Sequence, residues 1–102
     1  NPERTWTVNA AGTMRVLQAA RKAGVERLIY SASSSAYGDA PCLTPGAAAG
    51  PRVETQAPCP LSPYAASKLA GEYAVRAWSR SYGISALSLR YFNIFGPRQA
   101  AD

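Results

Sequence analysis

Histidine is absent from this chain of 102 residues. That removes the commonest metal ligand and the commonest general base, so proton transfer has to use another kind of side chain. Cysteine is scarce as well. Cys42 and Cys59 are too few and too far apart for a zinc site and form no C-x-x-C, and no metal is expected. Two reduced loop thiols in a cytosolic chain are the expectation, with a disulfide as the alternative. No run approaches the ~20 apolar residues of a membrane span and no signal-peptide pattern opens the chain, so a cytoplasmic protein without a membrane partner is expected. Acidic residues are few, 6 against 11 basic ones, for a net charge of +5. Such a balance invites a nucleic-acid reading. However, Arg15, Arg21, Lys22, Arg27, Arg76 and Arg80 are scattered singly, with no basic run interleaved with aromatics, and no nucleic acid is expected. A local positive potential suits an anionic small molecule equally well.

The length allows at most one small domain. The only methionine, Met14, falls inside an expected helix. Asn1 to Trp6 read as a loop running into a helix already under way, and Gly96 to Asp102 as a loop that leads nowhere. The chain therefore reads as a segment of a longer protein.

From Val8 to Ala23 the apolar residues Val8, Ala11, Met14, Val16, Leu17, Ala20 and Ala23 recur near helical spacing, and Gly24 is a helix stop. Glu26 to Ala32 is short and apolar in its middle, as a buried parallel strand is. A loop follows from about Gly38 to Ser62, and its small-residue stretch Thr44 to Pro51 reads as an insertion. Ser62 is a good N-cap and Pro63 suits a first helical turn, so a helix runs to Tyr82 with Gly83 as its stop. Ile84 to Phe92 is apolar enough for a second buried strand. Helix, strand, helix and strand with short joins imply parallel strands in part of a doubly wound, Rossmann-like α/β sheet. Ligands of such sheets bind at the carboxyl ends of the strands, where Ser33 and Asn93 fall.

Tyr64 and Lys68 stand one helical turn apart in Pro63-Tyr64-Ala65-Ala66-Ser67-Lys68, so phenol and ammonium share a helix face. A cation within about 4–6 Å favours the phenolate over the phenol. The serine cluster Ser33-Ser34-Ser35 ends the first strand, where a hydroxyl can bind the oxygen whose proton the phenolate takes. These parts suit oxidation of a secondary alcohol, given a hydride acceptor. A Tyr-x-x-x-Lys pair alone is a weak signal; its context makes it specific.

That context resembles the middle of an extended short-chain dehydrogenase/reductase, specifically a nucleotide-sugar epimerase of the NAD-dependent epimerase/dehydratase family. The matching stretches are Asn9-Ala10-Ala11-Gly12-Thr13, Ser31 to Asp39, Ser62 to Lys68, and Leu89 to Asn93 with Gly96-Pro97-Arg98-Gln99. The resemblance implies NAD as cofactor and Tyr64 as catalytic acid/base. It implies Lys68 on the nicotinamide ribose, and Asn9 and Tyr91 beside the cofactor. Ser33, four residues before Tyr37, would hydrogen-bond the reacting hydroxyl of the sugar. Asn93 would bind the diphosphate, with Ser34, Ser35 and Arg98 also on the substrate. Plainer roles stand beside these: a helix start for Asn9, turn formation for Ser34 and Ser35, a strand-end ion pair for Arg90, and simple solvation for Arg98.

The chain contains neither the family's G-x-x-G-x-x-G turn nor the acidic residue that reads the adenosine ribose. Residues 1–102 then correspond to the later part of an NAD-binding domain, without the glycine-rich part or the C-terminal substrate domain. The implied reaction is epimerisation of a nucleotide sugar at C4 through a 4-keto intermediate, by a homodimer when full length. A 4,6-dehydratase commonly has a carboxylate two residues before the tyrosine of the Tyr-Gly pair, where Ser35 stands. A non-catalytic dinucleotide-binding or scaffold protein is the alternative of another class.

Overall fold

The computed structural model describes residues 1–38 and 52–100. Helix α1 (Pro2–Trp6) runs into a π-helical turn (Thr7–Ala11) and then α2 (Gly12–Lys22). Strand β1 (Arg27–Ser33) follows, then a 3₁₀ turn (Ser34–Tyr37), helix α3 (Pro63–Tyr82) and strand β2 (Ser85–Tyr91). Among the described residues the two strands form one parallel pair, with Arg27 opposite Ser85 and Ser33 opposite Tyr91. This is the helix–strand–helix–strand order and parallel pairing expected from the sequence.

Three expectations are corrected. Asn1 to Trp6 is not a loop: the Asn1 side chain accepts a hydrogen bond from the Arg4 N–H at 3.1 Å, and helix begins at Pro2. Asn1 and Pro2 are together an N-cap and a favourable first helical residue, the same signal that Ser62-Pro63 gives for α3. Asn9 is consequently no helix start; it lies inside the π-helical turn, midway along a continuous helical run. The cysteines also differ from expectation. Cys59 is disulfide-bonded rather than reduced. Cys42 and the Thr44 to Pro51 stretch lie outside the described residues.

Helix α3 is set at both ends by local chemistry. The Ser62 hydroxyl accepts from the Ala65 N–H at 3.0 Å, and Gly83 takes the left-handed conformation at φ 74 while its N–H returns to the Ser79 carbonyl. The helix packs against both strands and against α1 and α2. Leu17, Leu69, Val75 and Ile84 are buried in the resulting core, and a fully buried aliphatic side chain of this size contributes about 1.5–3 kcal/mol. Ser67 is fully buried as well. Its hydroxyl donates to the Tyr64 carbonyl at 2.7 Å and accepts from the Asn9 amide at 3.1 Å, which offsets the cost of burying a polar group. On the other face of the sheet, the register partners Ile29 and Leu87 remain 66% and 56% exposed, so the helices cover one side of this strand pair only.

Candidate active site

A parallel pair directs both carboxyl ends to the same edge, and three segments meet there. Ser33 ends β1, Tyr91 ends β2, and Tyr64 lies in the first turn of α3. They border an open crevice of about 1010 Å³ whose lining includes Ser33, Ser34, Ser35, Tyr64, Lys68, Tyr91 and Asn93. That volume is at the upper end of the range for small-molecule sites, about 300–1,000 Å³. Seven of the expected site residues therefore share one cavity.

The Ser33 hydroxyl already has a structural task. It accepts from the Ser35 N–H at 3.2 Å and lies 2.7 Å from the Ser35 hydroxyl, capping the 3₁₀ turn. The turn-forming role weighed for Ser34 and Ser35 thus falls also on Ser33, and the cap fixes its hydroxyl at the crevice wall. Tyr64 is about half exposed, open to whatever enters the crevice. Lys68 is half-buried, and this burial lowers its pKa from the ordinary lysine value. Its Nζ lies 4.8 Å from the centre of the Tyr30 ring.

Asn9 and Arg98 do not line this crevice. The Asn9 amide is turned to Ser67, and so to the backbone of Tyr64, which places it behind α3. A π-helical turn at this point is a feature often found at functional sites. Arg98 is exposed with φ 66 in the chain's last described loop.

Arg90 is the strand-end ion-pair partner that the sequence suggested. Its guanidinium makes two bonds to Glu72 on α3, at 3.0 and 2.8 Å, and lies 4.6 Å from the centre of the Tyr37 ring. The paired carboxylate raises its pKa. The buried Tyr37 ring also stacks with Phe92 at 6.3 Å. Sequence reasoning missed Arg52, Ile94 and Phe95 on the crevice lining and Tyr30 beneath it. Arg52 carried no motif. Tyr30 was legible only as a strand residue, although the alternation of β1 puts it on the same face as Ala32.

The whole chain, residues 1–102, matches the NAD dependent epimerase/dehydratase family. A UDP-glucose 4-epimerase of Streptomyces lividans is 38% identical over 95 residues, 93% of this chain and 27% of that protein. The UDP-glucose 4-epimerase of Thermus thermophilus, solved in complex with NAD, is 41% identical with a TM-score of 0.78, covering 91% of this chain and 28% of that one. A dTDP-glucose 4,6-dehydratase of Mycobacterium tuberculosis is 38% identical over 103 residues, 100% of this chain and 29% of that protein. The chain belongs to the NAD-dependent epimerase/dehydratase family, whose cofactor is NAD, and it has the family's Rossmann-type fold. It spans 27% to 30% of the length of the first curated relatives it matches.

The crevice suits part of that cofactor. Lys68 offers an ammonium to ribose hydroxyls, and the phenols of Tyr64 and Tyr91 border the same space. The described residues do not include a glycine-rich cradle for a pyrophosphate.

Proposed function

We propose that the chain is the catalytic middle of an NAD-dependent nucleotide-sugar 4-epimerase acting on a UDP-hexose, UDP-N-acetylhexosamine or UDP-hexuronate. In this reading residues 1–102 form the later part of the NAD-binding domain, and other segments supply the glycine-rich turn and the substrate domain. The observation that carries the proposal is that Tyr64 and Lys68 open onto the same crevice as the Ser33–Ser35 hydroxyls and Asn93. A scaffold protein has no need of that set.

NAD, when bound, supplies the site that accepts hydride from the sugar and returns it. The chain's own residues handle the proton and the orientation. Lys68 holds the nicotinamide ribose, with Tyr91 beside it, while Asn9 braces α3 from behind through Ser67. The Ser33 hydroxyl, already fixed by its turn, hydrogen-bonds the 4-oxygen of the sugar. Tyr64 takes the 4-hydroxyl proton as the alcohol becomes a ketone and gives it back after the sugar turns over. The phenol oxygen carries a negative charge whenever that proton is on the sugar, and the Lys68 ammonium one helical turn on compensates it. Asn93 binds the diphosphate, with Ser34 and Ser35 completing the substrate side.

A 4,6-dehydratase is the second reading, favoured by the Mycobacterium tuberculosis relative. Elimination of water needs an additional acid and base. The residue two before Tyr37 is Ser35, which is neither, so epimerisation is preferred. Product mass tests the choice: the intact enzyme, given UDP-glucose, UDP-N-acetylglucosamine or UDP-glucuronate, should form an isomer of unchanged mass without consuming added NAD. A product lighter by one water would establish the dehydratase. Steady accumulation of NADH would establish a dehydrogenase instead. The same reading makes the intact enzyme a cytoplasmic homodimer, which sedimentation and localisation would check.

A further inference from the structure

We propose that Tyr30 is a positioning residue for Lys68, its ring forming the surface against which the ammonium rests and its hydroxyl anchoring the helical turn that carries it. The function of Lys68 rests on the reading above; the contact between the two side chains does not.

The alternation of β1 turns Leu28, Tyr30 and Ala32 toward α3. From there the phenol crosses to the helix and donates to the Lys68 carbonyl at 3.2 Å. The Lys68 Nζ returns over the ring, 4.8 Å from its centre, inside the roughly 6 Å at which a ring face attracts a cation. One tyrosine thus holds both ends of the lysine, its backbone and its charge. The helix is shaped to receive it. A Cβ on Gly71 would stand 2.2 Å from the Tyr30 hydroxyl oxygen, so any side chain there must displace the phenol. Beside the phenol, the Thr13 hydroxyl donates to the Asn9 carbonyl at 2.5 Å.

Electrostatics agrees with the geometry. Burial raises the pKa of Tyr30, so the phenol remains a donor. Burial lowers that of Lys68, and an electron-rich ring beneath the ammonium opposes this loss of charge. Around Lys68, β1 contributes Tyr30, while α3 contributes Tyr64 one turn before and Glu72 one turn after, the latter engaged by Arg90. Arg52 and Tyr91 line the same crevice. Among these groups Tyr30 is the one that presents a ring face to the ammonium.

The test is a lysine side-chain NMR titration of the intact protein labelled at lysine Cε, with Lys68 assigned by its loss in Lys68→Arg. Tyr30→Leu keeps an apolar neighbour and removes the ring, so the Lys68 midpoint should fall by about half a pH unit. Tyr30→Phe keeps the ring and should hold the midpoint near the parent value. Gly71→Ala, which raises helix propensity while pushing the phenol aside, gives an independent variant should Tyr30→Leu fail to fold, and its midpoint should fall too. Lys68 midpoints unchanged or higher in folded Tyr30→Leu and Gly71→Ala would overturn the proposal. The readout requires no turnover, so failure of the epimerase reading and failure of this contact are separately visible.

Discussion

Arg90 and Glu72 are joined by two hydrogen bonds of 2.8 and 3.0 Å, tying the end of β2 to the middle of α3. Both side chains are largely shielded, with 16% and 18% of their surface exposed. Because the guanidinium also covers Tyr37, the pair links all three segments that wall the crevice. Glu72→Gln keeps the shape but removes the charge that Arg90 faces. It should destabilise the fold by about 1.5–3 kcal/mol, the range for a hydrogen bond to a charged group. Denaturant unfolding measures this directly, and a loss well under that range would reduce the pair to a surface contact.

Tyr64→Phe removes one oxygen from a half-exposed side chain, so the fold and NAD binding should persist. Turnover of the intact enzyme should drop about 10²–10⁴-fold, the usual contribution of a general acid–base group. Steady-state kinetics beside an NAD-binding measurement separates the two effects. Near-normal turnover in this variant would return Tyr64 to the status of a helix-surface residue.

Tyr30 makes a prediction about alkaline stability. Its pKa is raised above the ordinary 10.0, chiefly by burial. Between the ordinary and the folded value, the native state retains a proton that the unfolded state has released, so this group's share of stability is lost as pH rises through that window. Lys68 has the opposite sign, but it is common to parent and variant and cancels in the comparison. Near neutral pH, Tyr30→Phe should be less stable by about 1 kcal/mol for the hydrogen bond it lacks. The difference should shrink above about pH 10. Unfolding midpoints of both proteins from about pH 8 to about pH 11 check this, and a constant difference would contradict it.

Local chemistry was readable along the chain because it depends on near neighbours. Ser62, Pro63 and Gly83 bounded α3 correctly, since a cap needs only the residues of its own turn. The Tyr64–Lys68 spacing put both groups on one helix face by helical geometry alone. Asn1-Pro2 carries the same capping signal, but the apolar pattern that marks a helix begins only at Val8.

Tertiary structure decided everything that depends on two distant segments. Periodicity assigned Tyr30 to a strand, but only the packing of α3 on β1 sets its ring beneath Lys68, 38 residues away. The amide of Asn9 finds Ser67 across 58 residues, which makes it a brace behind the helix rather than the start of one. The disulfide at Cys59 likewise contradicted an expectation drawn from a cytosolic setting, in which thiols stay reduced. The physical reason is common to these cases. Caps and helix faces are fixed by backbone geometry over a few residues, whereas a buried polar group takes whatever partner the packed elements bring within about 3 Å. The sequence alone therefore determined which elements form and which chemistry they carry. The packing of α3 on the parallel strands determined which side chains hold that chemistry in place.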